Sequence, residues 1–200
     1  MGDGAVGLLA VLSAKQMGTE RIIAMSRHES RQKLAREFGA TEIVTERGDE
    51  GIARIKELTK GIGADSVLEC VGTQESMMQA IRSARPGGFV SYVGVPHGVK
   101  LDGTELFFAH VHVHGGPAPV RRYLSELIDL VLNEKINPGK VVRFDAASRS
   151  SRRRLSRNGR APGDQDTASS IGAILAEHAR TIAREVQRVL AIEYERAAVV

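Results

Sequence analysis

The chain has 200 residues, 42% of them hydrophobic and 4% aromatic, with no Trp and a formal net charge of +4. That is enough apolar material for one buried core plus a tail, and too few aromatic rings for platforms that stack nucleic-acid bases. A single cysteine, Cys70, excludes an internal disulfide and a multi-cysteine zinc site. With no apolar run of bilayer-spanning length and no signal-peptide order at the start, a cytoplasmic setting is the default expectation.

The charge is uneven. Residues 1–140 hold 17 Lys and Arg against 17 Asp and Glu, whereas residues 141–200 hold 11 Arg against 7 acids. The body therefore offers nucleic acid no net basic charge.

In chain order, the first pattern is Gly2-Asp3-Gly4-Ala5-Val6-Gly7, three glycines at the G-x-G-x-x-G spacing, running into an apolar helical stretch from Leu8 to Met17 that Gly18 stops. In a dinucleotide-binding turn the first glycine permits the tight bend. The second lets backbone approach a pyrophosphate, and the third lets the helix pack on the sheet. The helix then turns its N-terminal amides and positive dipole end toward the phosphates.

Residues 21–25 form a short apolar run of the kind found in strands buried on both faces. Helix signals return over residues 29–38 and end at Gly39. Residues 41–45 read as a strand, and Ile52, Ile55 and Leu58 mark a helix closed by Gly61 and Gly63. Residues 65–71 predict a strand leading into Gly72, residues 73–84 a helix, Pro86-Gly87-Gly88 a turn, and residues 89–93 a strand running into Gly94. His110, His112 and His114 alternate with valines as on another strand, and residues 120–133 carry Tyr123, Leu124, Leu127, Leu130 and Val131 on one helical face. Such strand-helix repeats predict right-handed crossovers and an α/β, doubly wound, mostly parallel sheet.

These motifs resemble the cofactor-binding half of the medium-chain, zinc-dependent alcohol dehydrogenases. The likeness runs from Gly2 to about Val141. It rests on Gly2-x-Gly4-x-x-Gly7, Glu69-Cys70-Val71-Gly72, Arg85-Pro86-Gly87-Gly88 with Val93-Gly94-Val95-Pro96, and Gly115-Gly116-x-Ala118-Pro119. The resemblance implies hydride transfer between a nicotinamide dinucleotide and an alcohol or aldehyde, a catalytic zinc acting on the substrate oxygen, and homo-oligomers pairing through the outer strand. It also implies cofactor contacts: Gly2, Gly4, Ala5, Val6 and Gly7 at the pyrophosphate, Val71 and Gly72 on the adenosine side, and Val93, Gly94 and Val95 near the nicotinamide ribose. An acid ends the second strand where a ribose 2′-hydroxyl is bound. Here that strand ends in Ser26-Arg27-His28 with Arg31 one turn on, so Ser26, Arg27 and Arg31 are expected to hold a 2′-phosphate and to favour NADP over NAD.

Two departures from the family pattern shape the remaining expectations. In that pattern the catalytic domain and the first, central strand precede the glycine turn, on which this chain begins. The expectation is a truncated reading frame with a gap between the strands near Ile23 and Val67, no zinc ligands, no catalytic residue and no activity of its own. From Arg143 the apolar periodicity vanishes, and a one-base frame shift near the codon for Val142 restores a family-like pattern. On that basis residues 1–141 form the dinucleotide-binding domain, 142–170 a disordered basic segment and 171–200 a helical tail. A reading of another class is a non-catalytic nucleotide-binding or oligomerisation module whose seven arginines between Arg143 and Arg160 form a nucleic-acid arm. The three histidines share one strand face but lack a recognisable ligand shell, so packing outranks metal binding. Cys70 reads as a small buried apolar residue.

Overall fold

The computed structural model describes residues 1–141 together with the backbone of residues 198 and 199. The first helix, α1 (Ala5–Gln16), follows the glycine turn directly and buries Leu8, Leu9, Val11 and Ala14. Gly18, at φ +84°, breaks it. Then come β1 (Ile22–Met25), α2 (Glu29–Glu37), β2 (Glu42–Val44), α3 (Gly48–Leu58), β3 (Ala64–Glu69), α4 (Gln74–Ser83), β4 (Ala84–Tyr92), α5 (Gly103–Ala109), β5 (His112–Gly115) and α6 (Val120–Leu132). Thr73 caps α4 by accepting a hydrogen bond from the Ser76 amide at 3.2 Å.

One six-stranded parallel sheet, in the order β2-β1-β6-β3-β4-β5, organises these elements. Alternation along β1 divides the core. Ile22 and Ala24 join α1, α2 and Leu68 on one face, while Ile23 and Met25 join Ile55 of α3, Met77 and Ile81 of α4, and Val67 on the other. Helices on both faces of a parallel sheet make the doubly wound fold that the sequence predicts.

The expected central gap is filled. The sixth strand, β6 (Ala198–Val199), lies between β1 and β3, with Ile23 and Val67 both in register with Val199. Met1 follows on the same line of the sheet: its ammonium donates to the Leu68 carbonyl and its own carbonyl accepts from the Cys70 amide at 2.8 Å. Ladder groups of two buried strands would otherwise face one another unpaired, at about 1 to 3 kcal/mol for each buried group. Residues 198 and 199 are thus strand rather than the helix expected for 171–200. The expected disordered basic segment, the rest of that helix, the frame-shift junction near Val142 and the arginine arm fall outside the described residues.

Two local expectations are also corrected. Pro86-Gly87-Gly88 is not a separate turn but lies within β4. Its register on β3 jumps from Ala64–Ala84 to Ser66–Phe89, so the intervening residues bulge from the ladder. His110 is not in the last strand of the body: it caps α5 in the left-handed conformation, φ 50°, and only His112 and His114 belong to β5. The helix α5 itself has no counterpart in the periodicity of the sequence.

Candidate functional site

The glycine turn occupies the strand-to-helix corner that its spacing predicts, between Met1 in the sheet and α1. Each glycine meets a different constraint. Gly2 has φ +113°, and a Cβ there would lie 2.9 Å from Cγ2 of Val71. A Cβ on Gly7 would lie 1.9 Å from the Gly2 carbonyl oxygen, so the turn closes only around a bare Cα. A Cβ on Gly4 would meet nothing within 4 Å, so the backbone here borders open space. The first hydrogen bond of α1 runs from the Leu8 amide to the Gly4 carbonyl, 3.0 Å. The amides of Ala5, Val6 and Gly7 therefore precede the helical ladder, at the positive end of the helix dipole.

Beside this corner β3 and β4 end almost in contact. A Cβ on Gly72 would fall 2.3 Å from the Val95 carbonyl oxygen, and one on Gly94 2.6 Å from the Gly72 nitrogen. Glu69 fixes the turn after β3. Fully buried, its carboxylate accepts from the amides of Val71 (2.7 Å) and Gly72 (2.9 Å) and from the Ser76 hydroxyl (2.6 Å). This buried acid is a structural clamp on the strand end. Neighbouring Cys70 packs against the core, and burial pushes its thiol up to about 11.

A cleft of about 340 Å³ opens on the other side of the turn, lined among others by Gly2, Asp3, Arg27, Arg47, Val71 and Gln79. Ser26 is buried at the end of β1, Arg27 is exposed at the rim, and Arg31 reaches back from α2. Of the sequence-predicted adenosine-side residues, Arg27 and Val71 line this cleft and Ser26 and Arg31 reach the lining residue Asp3, whereas Gly72 is not among the lining residues. Val93, Gly94 and Val95 lie beyond the β3–β4 junction, with Val95 exposed. Two charged residues here, Arg47 and Asp3, are given no role in the sequence reading. Arg47, at the start of α3, is half-buried; burial holds its guanidinium below the usual range, helped by Arg27 and opposed by Asp3 and Glu46. Asp3 accepts from the Ser26 hydroxyl at 2.8 Å and from Nη1 of Arg31 at 3.0 Å. Burial pushes the Asp3 carboxyl up, but the Ser26 hydrogen bond and the Arg31 charge outweigh it and leave it below its ordinary value.

Residues 5–133 match the family described as zinc-binding dehydrogenase. The chain belongs to this zinc-binding dehydrogenase family. It is 30% identical over 148 residues to an NADP-dependent isopropanol dehydrogenase of Entamoeba histolytica, covering 71% of this chain and 40% of that protein. The enzyme of the same name from Thermoanaerobacter brockii is 34% identical, covering 71% of this chain and 42% of the relative. Among solved structures, benzyl alcohol dehydrogenase of Acinetobacter calcoaceticus superposes with a TM-score of 0.63 at 29% identity, over 76% of this chain and 45% of that one. The chain therefore spans well under half the length of these relatives. Among the described residues, no group of three or more His, Cys, Asp or Glu side chains could hold a metal ion, and no helix is long and apolar enough to cross a membrane. The described residues thus do not fit the family's metal. They do fit a diphosphate, through the open face at Gly4 and the amides after it.

Proposed function

We propose that residues 1–141 form the cofactor-holding part of a zinc-type alcohol dehydrogenase, taking NADP(H) in preference to NAD(H) and without catalytic activity as this chain alone. The observation that carries this reading is the Gly2–Gly7 corner: open space over Gly4, three amides ahead of the helical ladder, and beside it a cleft lined by Arg27 and Arg47. Gly2, Gly4, Ala5, Val6 and Gly7 hold the pyrophosphate. Ser26, Arg27 and Arg31 hold the adenosine 2′-phosphate, and Arg47 adds a fourth contact there. Val71 and Gly72 border the adenosine, and Val93, Gly94 and Val95 border the nicotinamide ribose. When bound, the nicotinamide supplies the hydride acceptor or donor for an alcohol or aldehyde in the whole enzyme. No residue described here is assigned a catalytic or a zinc-holding role. The NADP preference draws on the Ser-Arg sequence that follows β1 and on the NADP dependence named for the relatives from Entamoeba and Thermoanaerobacter.

We place the protein in the cytoplasm, where an unpaired Cys70 stays reduced, and assign self-association to the β5 edge beside exposed Phe107 and Phe108. Hydrogen exchange tests the nucleotide assignment: NADPH should slow exchange of the amides of residues 4–8 and of 26–31 together. Protection confined to other segments would remove the reading.

A further inference from the structure

The adenosine end of the cleft contains a charge that the glycine pattern does not anticipate. Asp3 stands between Gly2 and Gly4, where the spacing motif leaves the residue type open. Its two oxygens divide their work. Oδ2 accepts from the Ser26 hydroxyl at 2.8 Å, and Oδ1 accepts from Nη1 of Arg31 at 3.0 Å. The side chain is 17% exposed and faces the cleft together with Arg27, His28 and Arg47.

In doubly wound folds an acid at the end of the strand after the glycine helix accepts a hydrogen bond from the ribose 2′-hydroxyl and repels a 2′-phosphate. Here that strand position is Ser26, but a carboxylate reaches the same place from the turn. We propose that Asp3 sets the balance between a 2′-hydroxyl and a 2′-phosphate at this site, as the carboxylate that β1 itself does not provide. This inference rests on the nucleotide-binding reading above.

The chemistry works in both directions. An ionised carboxylate has about four lone-pair directions; Ser26 and Arg31 engage one on each oxygen, leaving room for a ribose hydroxyl to donate. A 2′-phosphate must instead compete with Asp3 for the Ser26 hydroxyl, share the Arg31 guanidinium with it and lie beside its negative charge. Arg27 and Arg47 supply the compensating cations. The parent site therefore tolerates both ribose forms, and Asp3 reduces the margin by which the phosphate is favoured.

The test compares 5′-AMP with adenosine 2′,5′-bisphosphate, which differ only in the 2′-phosphate, by calorimetric titration of the full chain and of Asp3→Asn. Asparagine keeps the shape and one acceptor oxygen but removes the charge. The expected result is that the preference for the bisphosphate rises by about tenfold or more, since a like charge is removed from beside the phosphate. Asp3→Ser, neutral and shorter, should shift the preference in the same direction, and serves if Asp3→Asn fails to give the parent's circular dichroism. An unchanged preference overturns the proposal. So does a lower one, which would mean that Asp3 only positions Ser26 and Arg31 for the phosphate. Failure of the parent chain to bind 5′-AMP, the bisphosphate and NADPH would overturn the nucleotide-binding reading and this proposal with it, whereas binding with an unmoved ratio overturns this proposal alone.

Discussion

Placing a methyl group on Gly7 tests the geometry of the turn directly. A Cβ there would lie 1.9 Å from the Gly2 carbonyl oxygen and 2.8 Å from the Gly2 carbonyl carbon, both parts of a backbone that is itself held in the sheet through Met1. Neither side has a flexible end that could yield, so α1 must move off the turn by about an ångström. Overpacking of this kind costs about 1 to 3 kcal/mol, which for a domain of this size lowers the melting temperature by roughly 3 to 10 °C. Because the same displacement carries the amides of residues 5–7 away from the phosphates, nucleotide affinity should fall with stability. Gly4→Ala provides the contrast. Its φ of −75° suits any residue and its Cβ meets nothing within 4 Å, so stability should change by less than about 1 kcal/mol through the altered N-cap. Its methyl nevertheless enters the space assigned to the pyrophosphate, and affinity should drop by about tenfold or more. Thermal melts by circular dichroism and NADPH titrations of both variants separate the two effects. A Gly7→Ala protein melting with the parent, or a Gly4→Ala protein binding with parental affinity, would refute this account of the corner.

Other consequences concern the surroundings of the site. Glu69→Ala leaves the amides of Val71 and Gly72 and the Ser76 hydroxyl without their acceptor. A loss of at least about 3 kcal/mol is expected in denaturant titrations, with Glu69→Gln intermediate; an unaffected midpoint would show that the clamp is unimportant. Val199→Pro removes a ladder donor between β1 and β3, and hydrogen exchange at residues 22–23 and 66–67 should accelerate, whereas unchanged exchange would mean that β6 contributes nothing to the sheet. Cys70, with a thiol pushed up to about 11 by burial, stays protonated at pH 8. Its labelling by an aromatic disulfide in the native chain should be far slower than in the unfolded chain and should rise with pH only as that value is approached; rapid labelling at pH 8 would contradict its placement.

The repeating strands and helices were legible because their signals are local. The run at residues 21–25 and the helix opening at Leu8 agree with β1 and α1 to within a few residues. The gathering of Ser26, Arg27 and Arg31 near the glycine turn followed from the same topology. What escaped was set by contacts distant in sequence. Two residues at 198–199 carry no strand signal of their own, and their conformation comes from the open ladders on either side. Gly87 and Gly88 read as a turn, yet pairing of β3 with β4 on both sides of them makes a bulge. Arg47 belongs to no motif in the sequence, and only its place at the start of α3 sets it into the cleft. Asp3 occupies a motif position whose side chain the spacing rule leaves unspecified, so only its 2.8 and 3.0 Å contacts reveal that it reaches Ser26 and Arg31.

The most direct test of the central claim is a fluorescence titration of NADPH into the intact 200-residue chain, with adenosine 2′,5′-bisphosphate as competitor. Saturable binding that the bisphosphate displaces and that Gly4→Ala weakens is the predicted result. Absence of saturation at millimolar NADPH, with the chain folded by circular dichroism, would contradict the assignment of the Gly2–Gly7 corner as a dinucleotide cradle.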